Sequence, residues 1–472
     1  MGTGVRPLVF IAMPFGQKRD ERRGCVIDFD AIYENGIKAG LDGLDVDVIR
    51  ADEERSGGVI HVAMFERLLL AEITVVDVTM DNANVFYELG VRHTARASST
   101  IIVCSSDRTL PFDIAMIRAV PYVLENGTLE GENAATFAQS LKERVQEMLS
   151  ELTADADSPL FKLIAGYTGV SLSRGMASSF RDRTQRFEKV RRELAQARGL
   201  RPVTAAASKI DEIEQRELRT VNEANFELVV DLLLSYRDVK AFDALLSLVN
   251  RLPAELYDRS VRVQQLKAFA LNKRNQDDDR SAAAALLQSI VAKTGDDPET
   301  CGLIGSIAKV RYDTAKNAGD AFKSKAFLDE AIRWYRRGFM ADSRDYYPGI
   351  NLCLLLAIKG DPVSLTELAD MLAVVKLALR RAGGLESEDF WVIASALSAA
   401  VLSNDWDSAA NVHGRIVALA AAGSTGKAQT WMLETTRKDL VSLSQAGIAS
   451  IDVESLKSLV DAVDATLTEL SA

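Results

Sequence analysis

The sequence of 472 residues contains only three histidines and four cysteines. The histidines, His61, His93 and His413, are widely separated, which argues against a histidine metal site or a Ser-His-Asp catalytic triad. The cysteines lack the close spacing of a zinc site, so we expect no bound metal. We interpret them as reduced thiols of a cytoplasmic protein.

Long apolar runs are also missing, and positive charge is in deficit. No apolar run is long enough to cross a bilayer, and the strand-like segment after Arg6 does not follow the plan of a signal peptide. Acidic residues outnumber basic ones by 67 to 56, which gives a net charge of −11. We therefore expect neither membrane insertion nor binding to nucleic acid.

The length and composition are those of a folded protein with more than one domain. Apolar residues make up 47% of the chain and charged residues 26%, as in ordinary globular proteins. The patterns predict an α/β domain over residues 1–165 and a helical linker over 166–220. An all-α domain of helical repeats is predicted over 221–472.

Short apolar runs alternate with helical patterns in the first domain. This alternation predicts a parallel, doubly wound sheet covered by helices. The predicted strands are 8–12, 46–50, 73–78, 100–104 and 120–123. The charged segment 17–24, between the first strand and the first helix, is predicted to be mobile.

The segment Val75–Gly90, VVDVTMDNANVFYELG, combines a buried strand, a polar turn and the start of a helix. Glu88 falls early in that helix, above the carboxyl edge of the sheet, where ligands bind in open α/β folds. We predict that Glu88 is the chemically active group. The alternative is a carboxylate that lies near a helix start only because the helix dipole favours negative charge there.

Other candidate binding residues belong to the same edge of the predicted sheet. They are Met13, Pro14, Phe15, Gly16, Asp52, Asp77, Asn82, Asn84 and Tyr87. Several have structural alternatives, since Asp77 can cap the following turn and the two asparagines are common turn formers. The proline and glycine after the first strand can simply end it. His93 is expected to face another side of the helix and to have no role in the site.

Helical stripes recur from Val221 onwards, without a convincing strand. They can be paired at a spacing close to that of tetratricopeptide repeats, in which stacking supplies the stability that one pair lacks. Trp334, Tyr335 and Phe339 are expected to form core rather than a ligand cage.

The motifs VFIAMPFG, RADE, VVDVT, NVFYELG and LPFD, in this order, resemble a bacterial TIR-like family related to the nucleoside 2-deoxyribosyltransferases. The resemblance covers roughly residues 5–125. It implies a flavodoxin-like fold and cleavage of N-glycosidic bonds in nucleosides or NAD, with Glu88 as the nucleophile. In the deoxyribosyltransferases a carboxylate six residues earlier orients the substrate. Asn82 stands at that position here, which argues against deoxyribosyl transfer more than against NAD cleavage.

This chemistry suits a site that is poor in histidine. Cleavage of a ribosidic bond builds positive charge at the anomeric carbon, which a fixed carboxylate can stabilise or attack. Nicotinamide is already a cationic leaving group, so no strong general acid is required. Asp77 and Asn82 could hold ribose hydroxyls, and the loop 13–16 could contact phosphate or base.

The helical half is similar to the central regulatory region of the apoptosis signal-regulating kinases, which includes their TRAF-binding domain. The similarity spans roughly residues 222–421 and includes VVDLLLSYRDVKAFDALLSLV, EAIRWYRRGF and YPGINLCLLLAIKG. It implies protein partners, since that region binds thioredoxin and TRAF proteins and controls kinase assembly. The sequence carries no HRD and DFG motif set of a kinase.

Three hypotheses follow from these patterns. The first is a nucleotide N-glycosidase, an NAD-cleaving TIR-like effector that the helical repeats regulate, which would suit bacterial stress response or defence. The second is a non-catalytic signalling scaffold that binds protein partners, and the third is a nucleoside deoxyribosyltransferase. We expect a nucleotide such as NAD at the first domain as substrate, with no cofactor required. We also expect a protein partner at the repeats and assembly into a homo-oligomer.

Overall fold

The computed structural model describes most of the chain as two compact units. The first comprises residues 1–196 with 224–231, and the second comprises 197–223 with 232–472. The described residues are 6–20, 23–51, 60–115, 117–150, 156–169, 186–187, 189–387, 389–421, 430–446, 448 and 451–471.

A five-stranded parallel sheet forms the centre of the first unit, in the order β4-β1-β5-β6-β7. The strands of this unit are β1 Leu8–Ala12, β2 Gln17–Asp20, β3 Cys25–Asp28, β4 Asp47–Arg50, β5 Ile73–Asp77, β6 Thr100–Ser105 and β7 Val120–Tyr122. Strands β1, β5 and β6 are buried along their whole length, as expected of a parallel sheet with helices on both faces. The predicted parallel α/β fold is therefore confirmed.

Four long helical segments cover the two faces of this sheet, and a short helix follows them. They are α1 (Phe29–Ala31, π-helical Ile32–Lys38 and Ala39–Leu41), α2 Ile60–Leu70, α3 Ala83–Ala95, α4 Gly131–Ser150 and the short α5 Pro159–Leu163. Alternate side chains of a strand point to opposite faces. Accordingly, Val9 packs with Phe137 of α4 in one core, whereas Phe10 packs with Leu68 of α2 and Leu89 of α3 in the other.

Strands β2 and β3 form an antiparallel hairpin that the sequence patterns did not predict. Its charged residues show no apolar alternation, which is the signal for a half-buried strand. Arg23 stabilises the hairpin through ion pairs with Asp20, three residues away, and with Asp107, which follows β6. A long-range ion pair of this kind leaves no local trace in the sequence.

The second unit is built from helices, which confirms the predicted all-α region. Helix α7 is divided between the two units at residue 231. The helices are α6 Val203–Glu217, α7 Phe226–Asp238, α8 Phe242–Asn250, α9 Ala254–Arg259, α10 Val261–Arg274, α11 Asp279–Thr294, α12 Pro298–Asn317, α13 Ala321–Ala341, α14 Tyr346–Lys359, α15 Pro362–Arg381, α16 Phe390–Leu402, α17 Trp406–Ala421, α18 Thr430–Ala446 and α19 Val453–Ser471. None of the helices in the described part of the chain is long and apolar enough to span a bilayer.

The predicted aromatic stripe of α13 is core. Tyr335 and Phe339 are almost completely buried, and Tyr335 lies directly over Gly305 of α12. A Cβ atom at Gly305 would come within 2.9 Å of the Tyr335 ring, so glycine permits this close approach of the two helices.

Helix α18 returns to α12 and closes the helical unit with ion pairs between residues far apart in sequence. Lys309 Nζ lies 2.7 Å from Asp439 Oδ1, and Lys438 Nζ lies 2.7 Å from Asp313 Oδ2. The unit is therefore not a purely open stack in which each helix pair contacts only its neighbours.

We predict that Lys309→Met lowers the free energy of unfolding by about 1–3 kcal/mol, because it leaves the partly buried Asp439 without its cation. Only 19% of the Lys309 side chain and 21% of the Asp439 side chain are exposed. Lys438→Met is the matched control, since that lysine is 64% exposed and its ion pair should contribute less than about 1 kcal/mol. Urea unfolding followed by circular dichroism measures both. Equal losses would show that burial does not distinguish the two pairs.

Candidate functional site

Helix α3 begins with a cap from Asn82. The Asn82 Oδ1 atom accepts hydrogen bonds from the backbone N–H groups of Asn84, at 3.0 Å, and Val85, at 3.4 Å. This is the standard way to satisfy N–H groups that have no partner inside the helix. The bonds support the structural alternative for Asn82, while the side chain of Asn84 is exposed.

Glu88 lies in the second turn of α3 and is 8% exposed. Burial raises the pKa of its carboxyl group from 4.5 to about 7. Within the described part of the chain, no hydrogen bond or ion pair to this carboxylate is present. A carboxylate that is stabilised only by the helix dipole would keep a low pKa at the surface, so this alternative does not account for the observed burial. Perturbed carboxyl groups of this kind are concentrated at functional sites.

Asp77 is completely buried at the end of β5, where both carboxylate oxygens accept hydrogen bonds. The Thr79 backbone N–H donates to Oδ1 at 2.8 Å, and the Tyr122 hydroxyl donates to Oδ2 at 2.7 Å. Burial raises the pKa of Asp77 to about 6, although these two donors oppose the shift. The geometry supports the structural alternative for Asp77.

The sheet separates Asp77 from α3. Tyr122 belongs to the core that α1 and α4 cover, whereas α3 packs on the opposite face. The sequence alone does not indicate Tyr122 as the partner of Asp77, because 45 residues separate them.

The loop 13–16 after β1 is tied to the next helix. Met13 and Pro14 are buried and Phe15 is partly exposed. The Gly16 backbone N–H donates to Asp30 Oδ1 at 3.2 Å, and Gly16 has a φ of 63°, which glycine adopts without strain. The loop therefore has a defined position at the carboxyl edge of the sheet.

Two charged residues that sequence reasoning missed lie beside this loop. Arg50, the last residue of β4, places Nη1 2.9 Å from Asp30 Oδ1 and stacks its guanidinium 4.2 Å from the centre of the Tyr33 ring. Because Arg50 ends a strand of the parallel sheet, its sequence position alone could have indicated this edge. Asp30 carried no comparable signal.

Tyr87 and Asp52 complete the predicted set. Tyr87 is 61% exposed on α3 and packs edge to face with Phe65 of α2, with ring centres 6.1 Å apart. Asp52 lies outside the described residues. The loop 13–16 and the first turns of α3 thus share one edge of the sheet, whereas Asp77 is enclosed in the core.

The described residues contain no group of three or more histidine, cysteine or acidic side chains arranged to hold a metal ion. His93 is buried on α3, and burial together with the charge of Arg92 lowers its pKa to about 4. Its imidazole is therefore neutral near pH 7.

We predict that Glu88→Gln raises the free energy of unfolding at pH 8 by about 1–3 kcal/mol. Above pH 7 the folded protein must bury a charged carboxylate, and protonation removes this cost as the pH falls from 7 to 4.5. The wild-type protein should therefore gain stability over that range, and the variant should gain less. Urea unfolding at several pH values measures both. An unchanged pH dependence would contradict the raised pKa, and exposed Glu132→Gln is the control.

Comparison with known proteins finds one matching family model and several animal relatives. The family model described as the MAP3K TRAFs-binding domain matches residues 85–452, from inside α3 to the residue before α19. The chain is 31% identical over 222 residues to mouse mitogen-activated protein kinase kinase kinase 15, an alignment that covers 46% of this chain and 16% of the relative.

Two further relatives come from other animals. Identity is 28% over 280 residues to mitogen-activated protein kinase kinase kinase nsy-1 of Caenorhabditis elegans, covering 55% of this chain and 18% of the relative. Identity is 26% over 415 residues to human mitogen-activated protein kinase kinase kinase 5, covering 81% of this chain and 29% of the relative. The chain thus spans 16% to 29% of the length of these three relatives. Because the family model matches most of its length, this chain belongs to the MAP3K TRAFs-binding domain family.

Proposed function

We propose that this chain is a signalling scaffold that binds protein partners through its helical unit and acts by assembly into a homo-oligomer. The observation that carries this proposal is the match to the MAP3K TRAFs-binding domain over residues 85–452, which includes most of the helical unit. The family description names TRAF proteins as the partners of its members, and we extend that class of partner to this chain.

The surface of the helical unit offers apolar anchors for such a partner. Phe322 of α13 is 87% exposed, and Met340 and Val363 are also largely exposed. Burying one such side chain in an interface contributes about 1.5–3 kcal/mol, and aromatic anchors often dominate binding energies. Phe322 is therefore the candidate anchor that we would test first.

We predict that the full chain binds a purified TRAF domain saturably, and that Phe322→Ser raises Kd at least about tenfold. Biolayer interferometry with the immobilised TRAF domain measures this. Phe112→Ser is the matched control, because Phe112 is equally exposed but lies in the α/β unit. Absence of binding by the wild-type chain would refute the partner, and equal effects of the two variants would refute Phe322 as anchor.

A second candidate function, NAD cleavage, rests on the buried Glu88 together with the TIR-like resemblance of the first domain. The carboxylate would stabilise the positive charge at the anomeric carbon of NAD as the N-glycosidic bond breaks. The bonding electrons would neutralise the nicotinamide nitrogen, and water would add to the sugar with loss of a proton to solvent. The loop 13–16 and Tyr87 would contact the nucleotide. No cofactor is needed for these steps.

We predict that NAD incubated with concentrated protein releases nicotinamide, and that Glu88→Gln lowers the rate at least about 100-fold. The rate should rise with pH through about 7, because the carboxylate form is the active one and the pKa of Glu88 is about 7. Chromatography of the products measures the rate, with Glu132→Gln as control. If the wild-type protein releases no nicotinamide, NAD cleavage is refuted and only the scaffold function remains. Base exchange between a deoxynucleoside and a free base would instead identify a deoxyribosyltransferase.

A further inference from the structure

The C-terminal end of α3 lacks a glycine cap. The residue after the helix, Arg96, is extended, with φ −126° and ψ 131°, so the left-handed glycine that commonly ends a helix is missing. The last carbonyl groups of a helix have no partner inside it and require donors from elsewhere.

A distant segment supplies these donors. The Ser158 hydroxyl donates to the carbonyl of His93 at 2.7 Å, across 65 residues of sequence. The Tyr167 hydroxyl donates to the carbonyl of Thr94 at 2.7 Å, across 73 residues. The backbone N–H groups of Asp157 and Ser158 both donate to the carbonyl of Ala97, which lies just after the helix, at 2.9 and 3.2 Å.

The same segment is anchored beside the end of α3, and we call residues 157–169 the latch. Asp157 is buried, and its Oδ2 atom accepts a hydrogen bond of 2.9 Å from the backbone N–H of Thr100, the first residue of β6. The centres of the Phe161 and Tyr167 rings lie 4.8 Å apart. Gly169, with a φ of 69°, approaches so closely that a Cβ atom there would lie 2.5 Å from the Phe161 ring.

The end of α3 in turn caps the end of α2. The buried Arg92 donates from Nη1 to the carbonyls of Leu68, at 2.8 Å, and Ala71, at 2.9 Å. Arg96 Nε donates to the carbonyl of Leu69 at 2.9 Å. The latch therefore holds α3, and α3 holds α2.

We propose that the latch sets the position of α3 and thereby keeps water away from Glu88, with Ser158 and Tyr167 as positioning residues. Glu88 lies five residues before the first carbonyl that the latch caps, which is about 7.5 Å along a helix. Loosening of the last turns of α3 would therefore expose the adjacent turn, which carries Glu88, to water. In the sequence, the latch follows α3 and α4 within the first unit.

The test uses the full chain with Ser158→Ala, Tyr167→Phe and the double variant, each of which removes only a hydroxyl group. Hydrogen exchange of the amides at 92–96, followed by mass spectrometry, should accelerate about fivefold for each hydroxyl removed. The pKa of Glu88, followed by NMR of carboxyl-labelled glutamate and assigned with Glu88→Gln, should fall towards its ordinary value as water enters. Both readouts are independent of NAD turnover and of partner binding.

Matched controls remove hydroxyl groups away from the latch. Ser140 donates to Thr136 within its own helix α4, and Tyr257 is a half-buried tyrosine of the helical unit. Ser140→Ala and Tyr257→Phe should leave α3 and Glu88 unchanged. Faster exchange confined to residues 157–169 would overturn the proposal, as would faster exchange in α3 with an unchanged pKa of Glu88.

Discussion

The capping of α3 at both of its ends is the constraint on which the α/β unit depends. Asn82 satisfies the N–H groups at its start, and Ser158 and Tyr167 satisfy the carbonyl groups at its end. Between these caps the helix carries Glu88, whose burial without a described partner opposes folding. A helix that holds such a group must be fixed at both ends by interactions that offset the cost.

Both units combine apolar cores with specific polar contacts. In the α/β unit, buried polar atoms form specific networks, such as Asp77 with Thr79 and Tyr122 at the end of the sheet. In the helical unit, most of the burial is apolar, and glycine at 305 lets α12 and α13 approach closely. There, polar contacts such as Lys309 with Asp439 define which distant helices meet.

Family membership and local chemistry bear on different parts of the chain. The match to the MAP3K TRAFs-binding domain starts inside α3 and covers most of the helical unit, so protein binding is the function with the broader support. The environment of Glu88 is a local feature that a scaffold does not require. Stability sacrificed at one carboxylate is typical of a site under functional constraint, which is why a second function deserves a direct test.

The sequence by itself determined the alternation of strands and helices, the all-α second half and the place of Glu88 at the start of a helix, because periodicity and cap residues act over a few positions. It did not reveal the hairpin formed by β2 and β3, the bond from Tyr122 to Asp77 or the capping of α3 by Ser158 and Tyr167. Only the tertiary structure decided these, since the hairpin's ion pair with Asp107, the Tyr122 bond and the capping bonds all join residues tens of positions apart whose local patterns are unremarkable. Whether a carboxylate is buried or exposed depends in the same way on what the rest of the chain packs around it.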